Sequence, residues 1–359
     1  MKENLREFGF EFWHNETELE KPILPKKRLT YPQPWKEYNL AKTQSKLFFL
    51  CLLNRAVNCL EIEDNYKGDG RYPHLISDMI KCMCIKVYSK STSRKIISDL
   101  RLIHSYGHIV RVPHFNLISR YMSSQLITPY LEELIKITSE VLKDIETTAI
   151  PDATGFSTFN RSDWINVRTK YKQWKKYKKL HILTGAKSNI VISAIVTKGT
   201  KHECDLLHVL LEKAKHFKKV SIIPADAGYL SRANAELISN FGAEPFIMPK
   251  KNTREDLTRH NRRGTAWYKM IKTFKTNESF FKRQYSIRSN VESTMAMLKR
   301  NYLPYVFSKS DTGQINEVLT KIVCHNIDVI TKSMFEYGVE LGKLRLLNSD
   351  IVHPESHDV

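Results

Sequence analysis

Six side chains in this sequence have types and spacings that suit chemistry on phosphate. Four lie on one helix-length stretch, Tyr285, Arg288, Glu292 and Lys299, in the pattern Y-x2-R-x3-E-x6-K. At about 100° per residue they fall within roughly 60° of arc on one helix face. An acid, two cations and a phenol on one narrow stripe suit a site that handles phosphate and metal. The other two are Asp152, in Ala149-Ile150-Pro151-Asp152-Ala153-Thr154-Gly155, and Asp226, in Ser221-Ile222-Ile223-Pro224-Ala225-Asp226-Ala227-Gly228-Tyr229. Each ends a short apolar run and is followed by small residues and Gly, as at the end of a buried strand. The ordinary alternative is a solvated helix with an i, i+4 Arg–Glu pair, plus two turn or N-cap aspartates.

The elements needed to position these residues are legible. A second stripe on the Tyr285–Lys299 segment is apolar, Ile287, Val291, Met295 and Leu298, and lies roughly 100° round from Glu292. One continuous helix there would bury that stripe and turn the polar one to a cleft. Leu180 to Leu183 and Ile190 to Val196 read as strands, the second strongly β-branched. Cys204 to Phe217 reads as an amphipathic helix with Leu207, Leu210, Leu211 and Ala214 inward. Ser231 to Phe241 reads as another, with Ser231 as N-cap. Glu244 to Met248 is a further strand. The order β–β–β–α–β–α–β followed by the polar-striped helix makes an α/β fold, a mixed sheet flanked by helices. Pro151 and Pro224 fall inside the two aspartate strands, where a missing N–H predicts a late start or a bulge.

The segment from Ile150 to Ile330 resembles the catalytic domain of prokaryotic insertion-sequence transposases of the DDE type, whose fold is ribonuclease-H-like. Four stretches carry the resemblance: Asp152-Ala153-Thr154-Gly155, Asp226-Ala227-Gly228-Tyr229, the Y-R-E-K helix and Ile322-Val323-Cys324-His325-Asn326-Ile327. Two divalent cations about 3.5–4 Å apart can activate the attacking oxygen, stabilise the leaving oxygen and neutralise a pentacovalent phosphorus centre. Mg²⁺ prefers hard oxygen ligands, with Mn²⁺ as a substitute. The resemblance implies that Asp152, Asp226 and Glu292 are the catalytic and metal-binding triad, with Asp152 bridging both ions. It implies phosphate contacts from Arg288, bidentate, and Lys299, a point charge, and a DNA-end contact from Tyr285. The implied activity is nicking at the transposon end followed by strand transfer by the freed 3′-hydroxyl.

Charge agrees with a nucleic-acid partner. The 359 residues hold 57 Lys and Arg against 38 Asp and Glu, net +19, with a sequence pI near 9.5. No apolar run approaches the ~18 residues that span a bilayer, and no secretory signal is visible at Met1, so no membrane partner is expected. The expected place is the prokaryotic cytoplasm, at the nucleoid. Between Asn160 and Leu183 lie Arg161, Arg168, Lys170, Lys172, Lys175, Lys176, Lys178 and Lys179, interleaved with Trp164, Tyr171, Trp174 and Tyr177. Cations for phosphates and aromatic faces for unstacked bases suit a DNA-contacting rim, with Arg168, Trp174, Lys175 and Lys176 as the leading candidates. A second basic stretch runs from Lys250 to Lys275 and contains Trp267, for which packing is the stronger reading. Only 65 residues lie between Asp226 and Glu292, little room for a large inserted domain.

The first third reads as helical after an irregular start. Residues 1–45, with Pro22, Pro25, Pro32 and Pro34, look like an extended arm, and Lys26-Lys27-Arg28 in it is a weak DNA candidate. Thr43 to Glu61, Leu75 to Tyr88, Ser91 to Ile103 and His114 to Met122 read as helices. The last two, joined by Ser105-Tyr106-Gly107-His108, are compatible with a helix-turn-helix. Arg94, Lys95 and Arg101 on the first, and Arg120 on the second, would contact DNA. Tyr130 to Thr148 reads as a connecting helix. The expected domains are an arm (1–45), a helical DNA-binding domain (46–148), the ribonuclease-H-like catalytic domain (149–335) and a tail (336–359). Six cysteines in mostly apolar stretches suggest buried free thiols. Cys82-x-Cys84 lacks the second pair of a zinc site, and His202-Glu203 near Asp205 reads as a loop and helix start rather than a metal site.

The reading is therefore a transposase acting with Mg²⁺ on the terminal inverted repeats of its element and on target DNA, as a homodimer when assembled on DNA. One alternative is a nuclease of the same fold without strand transfer. The other is a non-catalytic DNA-binding protein derived from a transposase.

Overall fold

The computed structural model describes residues 35–62, 73–158, 177–250, 253 and 264–344. Its centre is a sheet. β1 (Ala149–Thr158), β2 (Tyr177–Gly185) and β3 (Val191–Lys198) pair antiparallel in the order β3-β2-β1. β4 (Ile222–Ala225) and β5 (Glu244–Ile247) pair in parallel, and a parallel bridge between Thr148 and Ile222 sets β4 beside the start of β1. The short β6 (Tyr305–Val306) pairs in parallel with the far end of β1. The result is the expected mixed sheet.

Both prolines lie within their strands rather than before them, and neither strand is itself bulged at its proline. β1 runs through Pro151, and Pro224 is paired with Phe246. The register shift falls in the β2–β3 pair at Leu183–Thr184, Leu183 being the partner of Pro151 across the sheet. Ser221 N donates to Thr147 O at 2.9 Å, and beyond the Thr148–Ile222 bridge β1 and β4 form no ladder. Each proline removes a donor just there. Asp152 does not end its strand, as the sequence suggested. It lies inside β1 opposite Ile182, and the strand continues to Thr158.

Helices cover this sheet. α1 (Trp35–Thr43), α2 (Ser45–Asn58), α3 (Ile76–Tyr88), α4 (Ile96–Ser105), α5 (Phe115–Met122) and α6 (Ile127–Glu140) precede it. Residues 35–43, expected in an extended arm, are thus helical. α1 stops where the Thr43 hydroxyl bonds back to Asn39 O at 3.0 Å. α4 starts at Ile96, so Arg94 and Lys95 sit in the turn before it. Residues 106–114 join α4 to α5, a longer link than a helix-turn-helix turn. α7 (Leu207–Lys213) is shorter than its pattern, but Leu207, Leu210, Leu211 and Ala214 are buried as expected. In α8 (Arg232–Phe241) Ser231 is the N-cap, accepting from Asn234 N at 3.0 Å, and Gly242 closes the helix at φ 99°. α9 (Ala266–Thr276), α10 (Glu278–Ser286) and α11 (Asn290–Tyr302) follow.

The longest helix, α12 (Asp311–Tyr337), ties the halves together. It packs on α1, α2, α3 and α6 and also on β3. Asn326 reads the backbone of β3 as a neighbouring strand would. Its Oδ1 accepts from Val191 N at 3.0 Å, and its Nδ2 donates to Val191 O at 2.9 Å and to Thr138 Oγ1 at 3.1 Å. Asn316 donates to Met122 O and Ser124 O, both at 2.9 Å. One apolar core runs from Phe49 and Leu52 in α2 through Ile150 and Phe156 in β1 to Ile327 in α12. After α12, Leu341 and Leu344 are buried, so the first part of the supposed tail belongs to this core. All six cysteines are free, and four of them are buried. Among the described residues no helix is long and apolar enough to cross a membrane.

His325, on α12, hydrogen-bonds Asn189 O at 2.8 Å in the tight turn between β2 and β3. Burial pushes its pKa down from 6.5 to about 4. An unfolded histidine takes its proton near pH 6.5, so the unfolded chain binds it preferentially between those values. The stabilisation is intact above pH 6.5 and is lost as pH falls towards 4, by a few kcal/mol for this residue. Melting temperatures should drop across that window, and His325→Gln should flatten the drop. An unchanged slope in the variant would remove His325 as its source.

Candidate active site

The Tyr285–Lys299 segment is not one helix. α10 ends at Ser286, Ile287–Ser289 form a 3-10 turn, and α11 starts at Asn290. Two serine hydroxyls bond back to the chain here, Ser286 to Arg283 O at 2.7 Å and Ser289 to Ser286 O at 3.0 Å. Such back-bonding competes with the helix ladder. A 3-10 turn advances about 120° per residue rather than 100°, so Arg288 is rotated away from an ideal stripe.

α11 is anchored to the β2–β3 turn. Asn290 Nδ2 donates to Ala186 O at 3.1 Å, and Thr294 Oγ1 donates to Asn189 Oδ1 at 3.1 Å. Val291, Met295 and Leu298 of the apolar stripe are buried beneath, while Ile287 is half-buried in the turn. Glu292 therefore stands on a fixed helix, facing outward.

Asp152, Asp226 and Glu292 converge on Arg288. Its Nη2 lies 4.0 Å from Asp152 Oδ2 and 4.0 Å from Asp226 Oδ2, and its Nη1 lies 3.6 Å from Glu292 Oε1. One guanidinium thus stands among three carboxylates drawn from β1, the end of β4 and α11. Their exposures differ: the Asp152 side chain is 17% exposed, Asp226 45% and Glu292 68%. The pKa of Asp152 is raised, mainly by burial. Ala153 N–H, donating to Oδ1 at 2.8 Å, and Arg288 oppose the rise, and the carboxylates of Glu203 and Asp226 add to it. Asp152 is thus an anion in a costly place, with too little positive charge around it.

Tyr285 borders the same cluster. Burial raises its pKa, Arg288 lowers it and Asp226 raises it further. Lys299, two turns along α11, lies about 10 Å further along the helix than Glu292. Glu203 enters from the loop after β3 and pairs with Lys179 at 2.9 Å. By sequence, His202-Glu203 near Asp205 reads as a loop and helix start, and Tyr229 stands only as part of a motif. No spacing marks a lone glutamate in a loop. The Asp226-Ala227-Gly228-Tyr229 turn, with its buried tyrosine, was the available signal.

The expected DNA contacts divide. Arg101 and Arg120 line a groove of about 1410 Å³ on the helical side, with Arg111, His74, His114 and Tyr121. Arg94 instead stacks over the Phe115 ring at 4.9 Å, and Lys95 lies in the same turn before α4, outside that lining. Trp267 is half-buried, with Arg232 over its ring at 6.0 Å, as packing predicts. Arg168, Trp174, Lys175 and Lys176, like Lys26-Lys27-Arg28, lie outside the described residues.

Residues 145–327, just over half of the chain, match the family described as the transposase DDE domain. The chain belongs to that family. Its fold is the ribonuclease-H-like α/β fold with a helical region before it. The family is one of metal-dependent DNA-cutting enzymes, and its partner is DNA. No solved structure matches the chain.

Hard carboxylate oxygens brought together around a cation fit a divalent metal. Among the described residues no three acidic, His or Cys side chains are gathered tightly enough to hold an ion as they stand. Arg288 stands between the three acids here, so closing them on an ion requires its guanidinium to move. Arg288→Ala should therefore lower the metal-free melting temperature, by roughly 1–2 kcal/mol of stability for this partly buried group. In an Asp152→Asn background the loss should shrink, because the anion it offsets is gone. Equal losses in both backgrounds would mean that Arg288 stabilises by packing.

Proposed function

We propose that this chain is an insertion-sequence transposase of the Y-R-E-K type, which binds the ends of its element and catalyses Mg²⁺-dependent cleavage and strand transfer. The observation that supports this best is the convergence of Asp152, Asp226 and Glu292 on one guanidinium. Acids from a strand, the end of another strand and a separate helix have no structural need to share a cation.

Asp152, Asp226 and Glu292 would hold two Mg²⁺ or Mn²⁺ ions. The ions would supply charge neutralisation at phosphorus and an acidified nucleophile, first water and then the 3′-hydroxyl. Arg288, released from the carboxylates, would take a DNA phosphate bidentately beside the scissile bond. Lys299 would bind a phosphate further along the strand, and Tyr285 would meet the DNA end beside Asp226. The groove holding Arg101, Arg111 and Arg120 would bind duplex DNA outside the cleaved region. Two chains would assemble on paired ends.

The test uses the full chain, Mg²⁺ and a labelled duplex carrying a terminal repeat taken from the DNA around the coding region. Nicking with joining is the expected result. Nicking alone would mean a nuclease, and binding alone would mean a non-catalytic derivative. Asp152→Asn, Asp226→Asn and Glu292→Gln should each lower cleavage by about a thousandfold or more while binding persists. Cleavage near the wild-type rate in any of them would remove that residue from the mechanism.

Joint replacement of Arg101, Arg111 and Arg120 by Ala should weaken binding to all duplexes alike. It should also reduce the slope of log affinity against log salt by about one per arginine that meets a phosphate. An unchanged slope would place DNA elsewhere.

A further inference from the structure

One group beside the carboxylates is unexplained by the fold. Tyr229 is fully buried, and its hydroxyl has no hydrogen-bond partner among the described residues. A buried, unpaired phenol costs stability, and Phe would fill the same space without that cost. Its backbone is firmly held: Tyr229 N donates to Asp226 O at 2.9 Å, and Asn234 Nδ2 donates to Tyr229 O at 2.9 Å. Asn234 also donates to Cys204 O at 3.3 Å, fastening the Asp226–Tyr229 turn to the loop that carries Glu203. The turn also lies against Glu203 itself: a Cβ at Gly228 would sit 3.5 Å from Glu203 Oε2, an ordinary contact distance. The charges acting on the hydroxyl are, strongest first, Glu203, Asp152, Asp226 and Arg288. The buried hydroxyl thus lies within electrostatic reach of Glu203, Asp152 and Asp226.

We propose that Tyr229 is a positioning residue of the catalytic site, its hydroxyl donating to Asp152 when divalent cations take the place of the Arg288 guanidinium. Glu203, held by Lys179 at 2.9 Å, adds a further negative charge that acts on both Asp152 and the hydroxyl. In this structure Asp152 Oδ1 accepts from Ala153 N and Oδ2 faces Arg288. A hydroxyl donor would fix the orientation of the carboxyl once Arg288 withdraws, as hydrogen bonds from neighbouring groups orient metal ligands generally. The unpaired hydroxyl is then a group kept for the loaded state at the expense of the empty one. This rests on the reading of Asp152, Asp226 and Glu292 as ion ligands.

Tyr229→Phe tests it, because the change removes one oxygen and nothing else. Without metal, the variant should melt at the wild-type temperature or above it. With Mn²⁺, its melting temperature should rise less than that of wild type. The Mn²⁺ concentration for half-maximal nicking should increase by about tenfold or more. A lower metal-free melting temperature would make the hydroxyl structural and overturn the proposal. Wild-type Mn²⁺ responses in the variant would do so too, while leaving the active site intact. If wild type itself neither stabilises nor nicks with Mn²⁺, the metal-ligand reading fails and this inference falls with it.

Discussion

The arrangement depends on electrostatic repulsion among carboxylates that the fold brings together. Asp152, Asp226 and Glu292 come from elements far apart in the chain, and a cluster of anions in a partly dry site is unstable without positive charge. Arg288 supplies part of that charge from 3.6–4.0 Å. It is not enough, and the pKa of Asp152 remains raised, burial being the largest cause. Under the proposed function that surplus of negative charge would favour cations, and the same imbalance would give Arg288 two partners in turn, the carboxylates and a DNA phosphate.

Rigid supports make that repulsion useful. β1 holds Asp152 from within the sheet, not from its end, so the main chain on both sides is fixed. α11 holds Glu292 by docking Asn290 and Thr294 on the β2–β3 turn. That turn is gripped from behind by His325 of α12. α12 also reaches the helices of the first third of the chain. DNA held against α4 and α5 would therefore sit on the same packed core as the carboxylates, without a flexible hinge between them among the described residues.

Local irregularity does much of the aiming. The 3-10 turn at Ile287–Ser289 breaks what the sequence pattern drew as one helix, and Arg288 lies in that break. The prolines of β1 and β4 remove donors where the two strands would otherwise zip together beside the aspartates. In both places a departure from regular structure falls next to the proposed chemistry, where regular packing and a reactive site make different demands.

The sequence alone determined the mixed sheet, the N-cap at Ser231, the buried faces of α7 and α11, and the three acids with Arg288. These follow from periodicity, capping chemistry and motif spacing, all of which act over a few residues. It also contained the serines that break the helix at Ser286–Ser289, although a helical wheel averages over such a turn. The tertiary structure alone decided that Arg288 sits among all three acids, that Glu203 pairs with Lys179 from a loop, and that the Tyr229 hydroxyl is buried without a partner among the described residues. It also decided that Arg94 stacks on Phe115 while Arg101 and Arg120 line an open groove. Each of these is a meeting of residues from different elements, fixed by core packing and burial. No pattern along one segment encodes which distant side chain will stand on the other side.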